Sequence, residues 1–350
     1  MGRKVNITGP LYFYIHFATE VICFYFLSKV IGDNALLWSV PFFYDALAFV
    51  PQSLVGRISD KFPKIPFGAL GLVFMSVALA LFSLLPTFPI FISVLILCLG
   101  NAFAHVAGAE VTLRASNGKI TPAAIFVAGG SFGVITGKLL ADVAPFWFII
   151  LLALSALPPV FLAEIFRKRT EKDKNPCKNF DFANKSFPVG LLIFLAVFVV
   201  IVRGYMGYGI PTSWNKTTFQ TILLYVSMGF GKALGGILCD KIGARKTAMI
   251  SVLGALPFLL FGDNIMVVSL IGVMFFSMTM AITLALLVSV LKKTPGLAFG
   301  LTTIGLFLGT VPIFFFKLGN FFTSCIVISV ATLICHFVLM KITKKEKKHA

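Results

Sequence analysis

Ionisable side chains inside long apolar runs are the residues of this sequence that can do chemistry. In a bilayer each costs several kcal/mol unless it meets a partner or a wet cavity. His16 and Glu20 stand four residues apart in the first run, on one face of a helix. A histidine beside a carboxylate can bind and release a proton near neutral pH; the same pair also reads as a structural contact that fixes its helix. A later run carries Asn101 and His105, again four apart, and then Glu110 and Arg114 at the same spacing near its end. Asp45, midway along another run, is a candidate cation ligand or a carboxyl capped by a polar neighbour. The second half reverses the sign, with Arg203 and Lys232 inside its runs. Two fixed cations in a low-dielectric cavity attract an anion, although Lys232 also reads as a chain that snorkels to the surface.

The elements that must hold these groups follow from composition. Of 350 residues, 58% are hydrophobic and 12% charged, too apolar for a soluble globule of this length. A bilayer core takes roughly 20 apolar residues per helix. On that ruler the first half has spans at 11–31, 36–55, 65–85, 90–111, 123–140 and 145–166. The second has 188–208, 218–239, 248–261, 265–291, 297–316 and 321–342, the ninth being short. The expected fold is an all-α membrane protein of twelve transmembrane helices. With the N-terminus inside, 24 of the 30 Lys and Arg fall on inner segments, as the positive-inside rule requires. Both termini are then cytoplasmic in a cell membrane, and the charge of +17 serves the anionic bilayer face and not nucleic acid. The polar stretch 167–187 reads as a cytoplasmic linker between halves 1–166 and 188–350. The six cysteines show no disulfide framework.

The two halves share a charged motif. GRISDKFPK at 56–64 returns as GGILCDKIGARK at 235–246, so Gly56, Asp60 and Lys61 align with Gly236, Asp240 and Lys241. Each copy reads as a tight turn between two spans. This motif resembles the cytoplasmic loop G-x-L-x-D-R/K-x-G-R/K-R/K of the major facilitator superfamily, and the resemblance covers essentially the whole chain, as a small prokaryotic-type member. It implies two pseudo-symmetric six-helix bundles, alternating access, and Asp60 and Asp240 latching the outward-open state against a neighbouring helix N-terminus or basic residue. The first copy departs from the pattern at Pro63, whereas the second keeps Gly243, Arg245 and Lys246. The resemblance also implies that the first and fourth spans line one cavity wall, setting Asn101 and His105 against His16 and Glu20, and that Glu110 and Arg114 serve the gate. Lys232, eight residues before Asp240, is spaced like a basic residue of carboxylate-transporting members.

Glycines 129, 133 and 137 form a small-residue face for close helix approach. Gly296, Gly300, Gly305 and Gly309, with Pro312, equip the eleventh span to pack closely or to hinge. Gly204 to Pro211 is expected to break its helix at a cavity or gate. Drug and proton antiporters of the superfamily carry G-P-x-x-G-G in the fifth span; here Ser131 follows Gly130, which counts against drug export. The chain has no P-loop, C-x-x-C, H-E-x-x-H or G-x-S-x-G. It is therefore not expected to be an ATP-driven pump or an enzyme, nor to carry a cofactor, and its four histidines look too scattered for metal or haem chemistry. The function expected is secondary active transport, coupled to protons through His16, Glu20 and His105, of a small anionic or polar solute held by Arg203 and Lys232. Open alternatives are a drug or metabolite exporter and a transporter-like sensor or lipid-mover. A monomer suffices for this architecture.

Overall fold

Fourteen helices carry the described residues, 8–31, 39–165, 176–315 and 320–344, of the computed structural model. Helices dominate because a bilayer core offers backbone N–H and C=O groups no water, so each segment must satisfy its own. In the first half these are α1 (Thr8–Ile31), α2 (Ser39–Phe49), α3 (Pro51–Lys61), α4 (Phe67–Leu84), α5 (Ile90–Ala115), α6 (Thr121–Val143), α7 (Phe146–Ser155) and α8 (Leu157–Ile165). The second half has α9 (Val189–Gly209), α10 (Thr218–Ile242), α11 (Ala244–Phe261), α12 (Met266–Val290), α13 (Pro295–Phe315) and α14 (Phe321–Ile342). Among the described residues eleven stretches are long and apolar enough to cross a bilayer, α7 and α8 counting as one. Helices α2 and α3 make the remaining run, interrupted at Val50 where Pro51 opens a new first turn. Twelve runs thus match the twelve expected spans, and the short ninth lengthens to the 18 residues of α11.

Two expectations change. The charged motifs are mostly helix and not turn: Gly56 to Lys61 closes α3 and Gly235 to Ile242 closes α10. Only the second copy then reverses on a left-handed glycine, Gly243 at φ 85°, while the first turns through Phe62 to Pro66 without one. Helix α9 stays regular through Gly204 and Gly207 and ends at Gly209. Its glycine serves packing: a Cβ on Gly204 would lie 3.2 Å from the Gly309 backbone of α13.

Within the first half α1 packs on α6 and α4 on α5; within the second, α10 and α11 pack on α12 and α9 on α13. The halves meet along α3 with α13 and along α6 with α10. Of the expected linker, 167–175 lies outside the described residues. The remainder is tied down: Asn184 donates to the Ile342 carbonyl at 2.7 Å, Phe182 N–H to Ser289 Oγ at 2.9 Å, and Phe180 is fully buried. Lys344 and Lys185 pair with Asp181 and hold its carboxyl below the usual carboxylate range.

Candidate functional site

Helix α1 brings His16 and Glu20 to the face that packs on α6, and α5 brings His105 to the same point. Glu20 Oε1 lies 3.1 Å from His105 Nε2 and 3.6 Å from His16 Nε2, all three side chains being buried. The other ring nitrogens face backbone carbonyls, His16 Nδ1 to Phe126 at 2.9 Å and His105 Nδ1 to Asn101 at 3.0 Å. The rings meet edge to face at 4.4 Å between centroids. Close approach of α1 and α6 depends on glycine. A Cβ on Gly129, Gly133 or Gly137 would fall within 2.6 Å of the carbonyl oxygen of Phe13, Phe17 or Val21, and one on Gly130 would sit 2.4 Å from His16 Nε2.

Asn101 stands a turn from His105, donating to Tyr44 Oη at 3.0 Å and Cys23 Sγ at 3.4 Å, while its Oδ1 is buried without a hydrogen bond among the described residues. His105 stacks on Phe299 of α13 at 6.4 Å, so the cluster abuts the second half. Beside Phe299 a space of about 10 Å³ is lined by Lys232, Val127 of α6 and Met280 of α12. Lys232 donates to Ser131 Oγ of α6 at 2.8 Å, a link across the two halves.

At the basic end each motif aspartate reaches a helix of the other half. Asp60 accepts from the N–H groups of Gly296 and Leu297 at 3.1 and 2.9 Å, at the start of α13. Asp240 accepts from Ile120 and Thr121 N–H at 2.8 and 2.9 Å and from the Thr121 hydroxyl at 2.6 Å, at the start of α6. A carboxylate there meets unpaired N–H groups and the positive end of the helix dipole. Arg114 ties Asp60, at 3.3 Å, to Glu110, at 2.7 Å, and Glu110 also accepts from Ser59. Arg245 donates to the Met340 carbonyl at 2.6 Å. Lys61 lies over the Phe62 ring and Lys241 is exposed. At the opposite end Phe42 packs against Phe307, Phe314 and Phe315, and Lys138 reaches Tyr225 Oη at 3.3 Å.

No family model matches the chain. Among curated proteins, the fosmidomycin resistance protein of Escherichia coli (strain K12) is 28% identical over 245 residues, 60% of this chain and 57% of that protein. The match therefore spans less than two thirds of the relative's length. Among solved structures, the E. coli fucose:proton symporter FucP superposes with a TM-score of 0.66 at 12% identity, covering 95% of this chain and 97% of that one. The human organic anion transporter MFSD10 gives 0.65 at 16% identity, with the same coverage. A second FucP structure, described as a major facilitator superfamily transporter in the outward conformation, gives 0.65 at 11%. The chain has the major facilitator fold. The solved structures that it resembles are those of transporters.

Within this fold the remaining candidates separate. Asp45 on α2 is half-buried and makes no hydrogen bond or ion pair among the described residues. Arg203 does not join Lys232. Its guanidinium lies 4.7 Å from the Phe276 ring centroid and donates to the Phe276 carbonyl at 3.0 Å. Among the described residues the small cavity at its side is lined by α9, α11, α12 and α14 only, and its Nε is buried without a hydrogen bond. The histidines, expected to be scattered, are drawn together by the fold at 16 and 105. Ser131, Tyr44 and Thr121 were not singled out by the sequence as partners, because a hydroxyl in an apolar helix gives no signal until its neighbour is known.

Proposed function

We propose that the chain is a secondary active transporter working by alternating access, with the Asp60 and Asp240 end cytoplasmic and proton movement coupled through Glu20, His16 and His105. One observation carries this reading: a buried carboxylate and two histidines meet in the first half, against Phe299 and beside a lysine of the second half that is bonded back to α6. A proton taken up by the cluster changes the charge facing Lys232, and so biases the interface that alternating access must open. Lys232 is the contact for a small anionic or polar solute. Arg203, enclosed by its own half, reaches that solute only after rearrangement. Two of the similar proteins, a fucose:proton symporter and an organic anion transporter, agree with this class. The latches Asp60–Arg114–Glu110 and Asp240–Thr121 hold the cytoplasmic end shut.

The test is proton movement in proteoliposomes with an internal pH dye, challenged with small carboxylates, phosphates, sugars and nucleosides. A solute that drives proton flux in the wild type and none in Glu20→Gln supports the reading. Flux that persists in Glu20→Gln, or no flux with any solute, removes it. Export of a small drug or metabolite is the second reading, favoured by the similarity to the fosmidomycin resistance protein; the direction of solute movement under an imposed proton gradient separates the two.

A further inference from the structure

With both rings neutral and protonated at Nδ1, the polar atoms that His16, His105 and Glu20 turn on one another are all acceptors. The Nδ1 atoms of His16 and His105 lie 2.9 and 3.0 Å from backbone carbonyls. A carbonyl only accepts, so both Nδ1 atoms carry the ring proton. In the neutral rings each Nε2 then turns a lone pair on Glu20, at 3.6 and 3.1 Å, and the three ligand atoms lie within 4.8 Å of one another. Two imidazole nitrogens and a carboxylate oxygen around one point suit first-row divalent ions. With bonds of about 2.0–2.1 Å, a tetrahedral ion spaces its ligand atoms about 3.3 Å apart, near both distances to Glu20.

We propose that His16, Glu20 and His105 bind one divalent transition-metal ion of the zinc class. This rests on the same reading of the cluster as a cation site, with metal and proton as competing occupants. The Phe126 and Asn101 carbonyls provide the outer hydrogen bonds that orient ligating histidines and fix their tautomer. The His16 ring packs directly against Gly130, where a Cβ would stand 2.4 Å from Nε2, so the glycine is what allows the ring to reach Glu20. The facing charged group of the second half, Lys232, is directed to Ser131 at 2.8 Å and leaves Glu20 to its histidines. A metal in this seat displaces the proton, and zinc is therefore an inhibitor of the coupled step.

The experiment is a Co²⁺ titration, followed by visible absorption, of detergent-solubilised protein purified without a histidine tag, with Zn²⁺ added in competition. One equivalent of Co²⁺ displaced by Zn²⁺ is expected. Affinity should fall by more than about tenfold, the loss that even an outer-shell partner brings, in His105→Gln and Glu20→Gln, and stay unchanged in His336→Ala. Thermal unfolding of each variant reports folding, and the wild-type titration decides even if a variant does not fold. No saturable band in the wild type, or equal affinity in folded His105→Gln and His336→Ala, overturns the site. Proton flux is read on the same preparations: metal binding without flux removes only the transport reading, and flux without metal binding removes only the metal site.

Discussion

Adding one methyl group at residue 130 measures how tightly the cluster is built. A Cβ there would meet His16 Nε2 at 2.4 Å, whereas one on Gly190 meets nothing within 4 Å. The His16 ring is held between the Phe126 carbonyl and Glu20, so it cannot swing aside without breaking a buried contact. Gly130→Ala is therefore expected to destabilise the protein by about 1–3 kcal/mol, the usual cost of overpacking, with Gly190→Ala within about 0.5 kcal/mol of wild type. Thermal unfolding of both in detergent checks this; equal stabilities would mean that the ring relaxes freely. The i,i+4 spacing made the His16–Glu20 contact legible in the sequence. The third member, His105, came only through the resemblance that sets the first and fourth spans side by side. Its locking carbonyl, like that of His16, belongs to the backbone and leaves no mark on residue type.

At the scale of elements, each aspartate latch joins a helix end of one half to a helix start of the other. Asp240 accepts three hydrogen bonds at the start of α6, from Ile120 and Thr121, and Asp60 two from α13. A hydrogen bond to a charged group contributes about 1.5–3 kcal/mol, so losing one such interaction shifts the closed-to-open balance by about 10- to 100-fold. Asp240→Ala is expected to populate the conformer open at the basic end, seen as longer spin-label distances between residues 119 and 241; unchanged distances would show that the latch adds nothing to closure. Asp60→Ala should slow transport with expression intact, and wild-type kinetics would count against it. The equivalence of Asp60 and Asp240 was readable from their 180-residue offset. Their helical setting was not, because the basic and polar residues of 56–61 resemble a loop until α3 is seen to carry them beyond the apolar run. The break at Val50 was missed for a related reason: Pro51 at a first helical position costs nothing, so no composition shift marks it.

For the whole molecule, the ends of the interface between the halves close by different means. At the basic end the helices approach to backbone distance: a Cβ on Gly56 would lie 2.3 Å from the Gly296 carbonyl, and one on Gly236 3.2 Å from Thr121 Cα. At the opposite end side chains do the closing, through Phe42 with Phe307, Phe314 and Phe315 and through Lys138 with Tyr225. Backbone contact between helices leaves no room for adjustment, whereas aromatic rings can change rotamer while their helices stay close. The two ends are thus expected to respond separately, each to its own substitution. Gly56→Leu wedges α3 from α13 and should raise amide exchange at 57–61 and 295–300. Phe42→Ala thins the ring cluster and should raise it at 39–45 and 307–315. Hydrogen exchange read by mass spectrometry distinguishes these segments without labels. If both substitutions loosen the same end, the halves do not rock about a fixed centre, and the cluster at Glu20 is not the pivot between two gates.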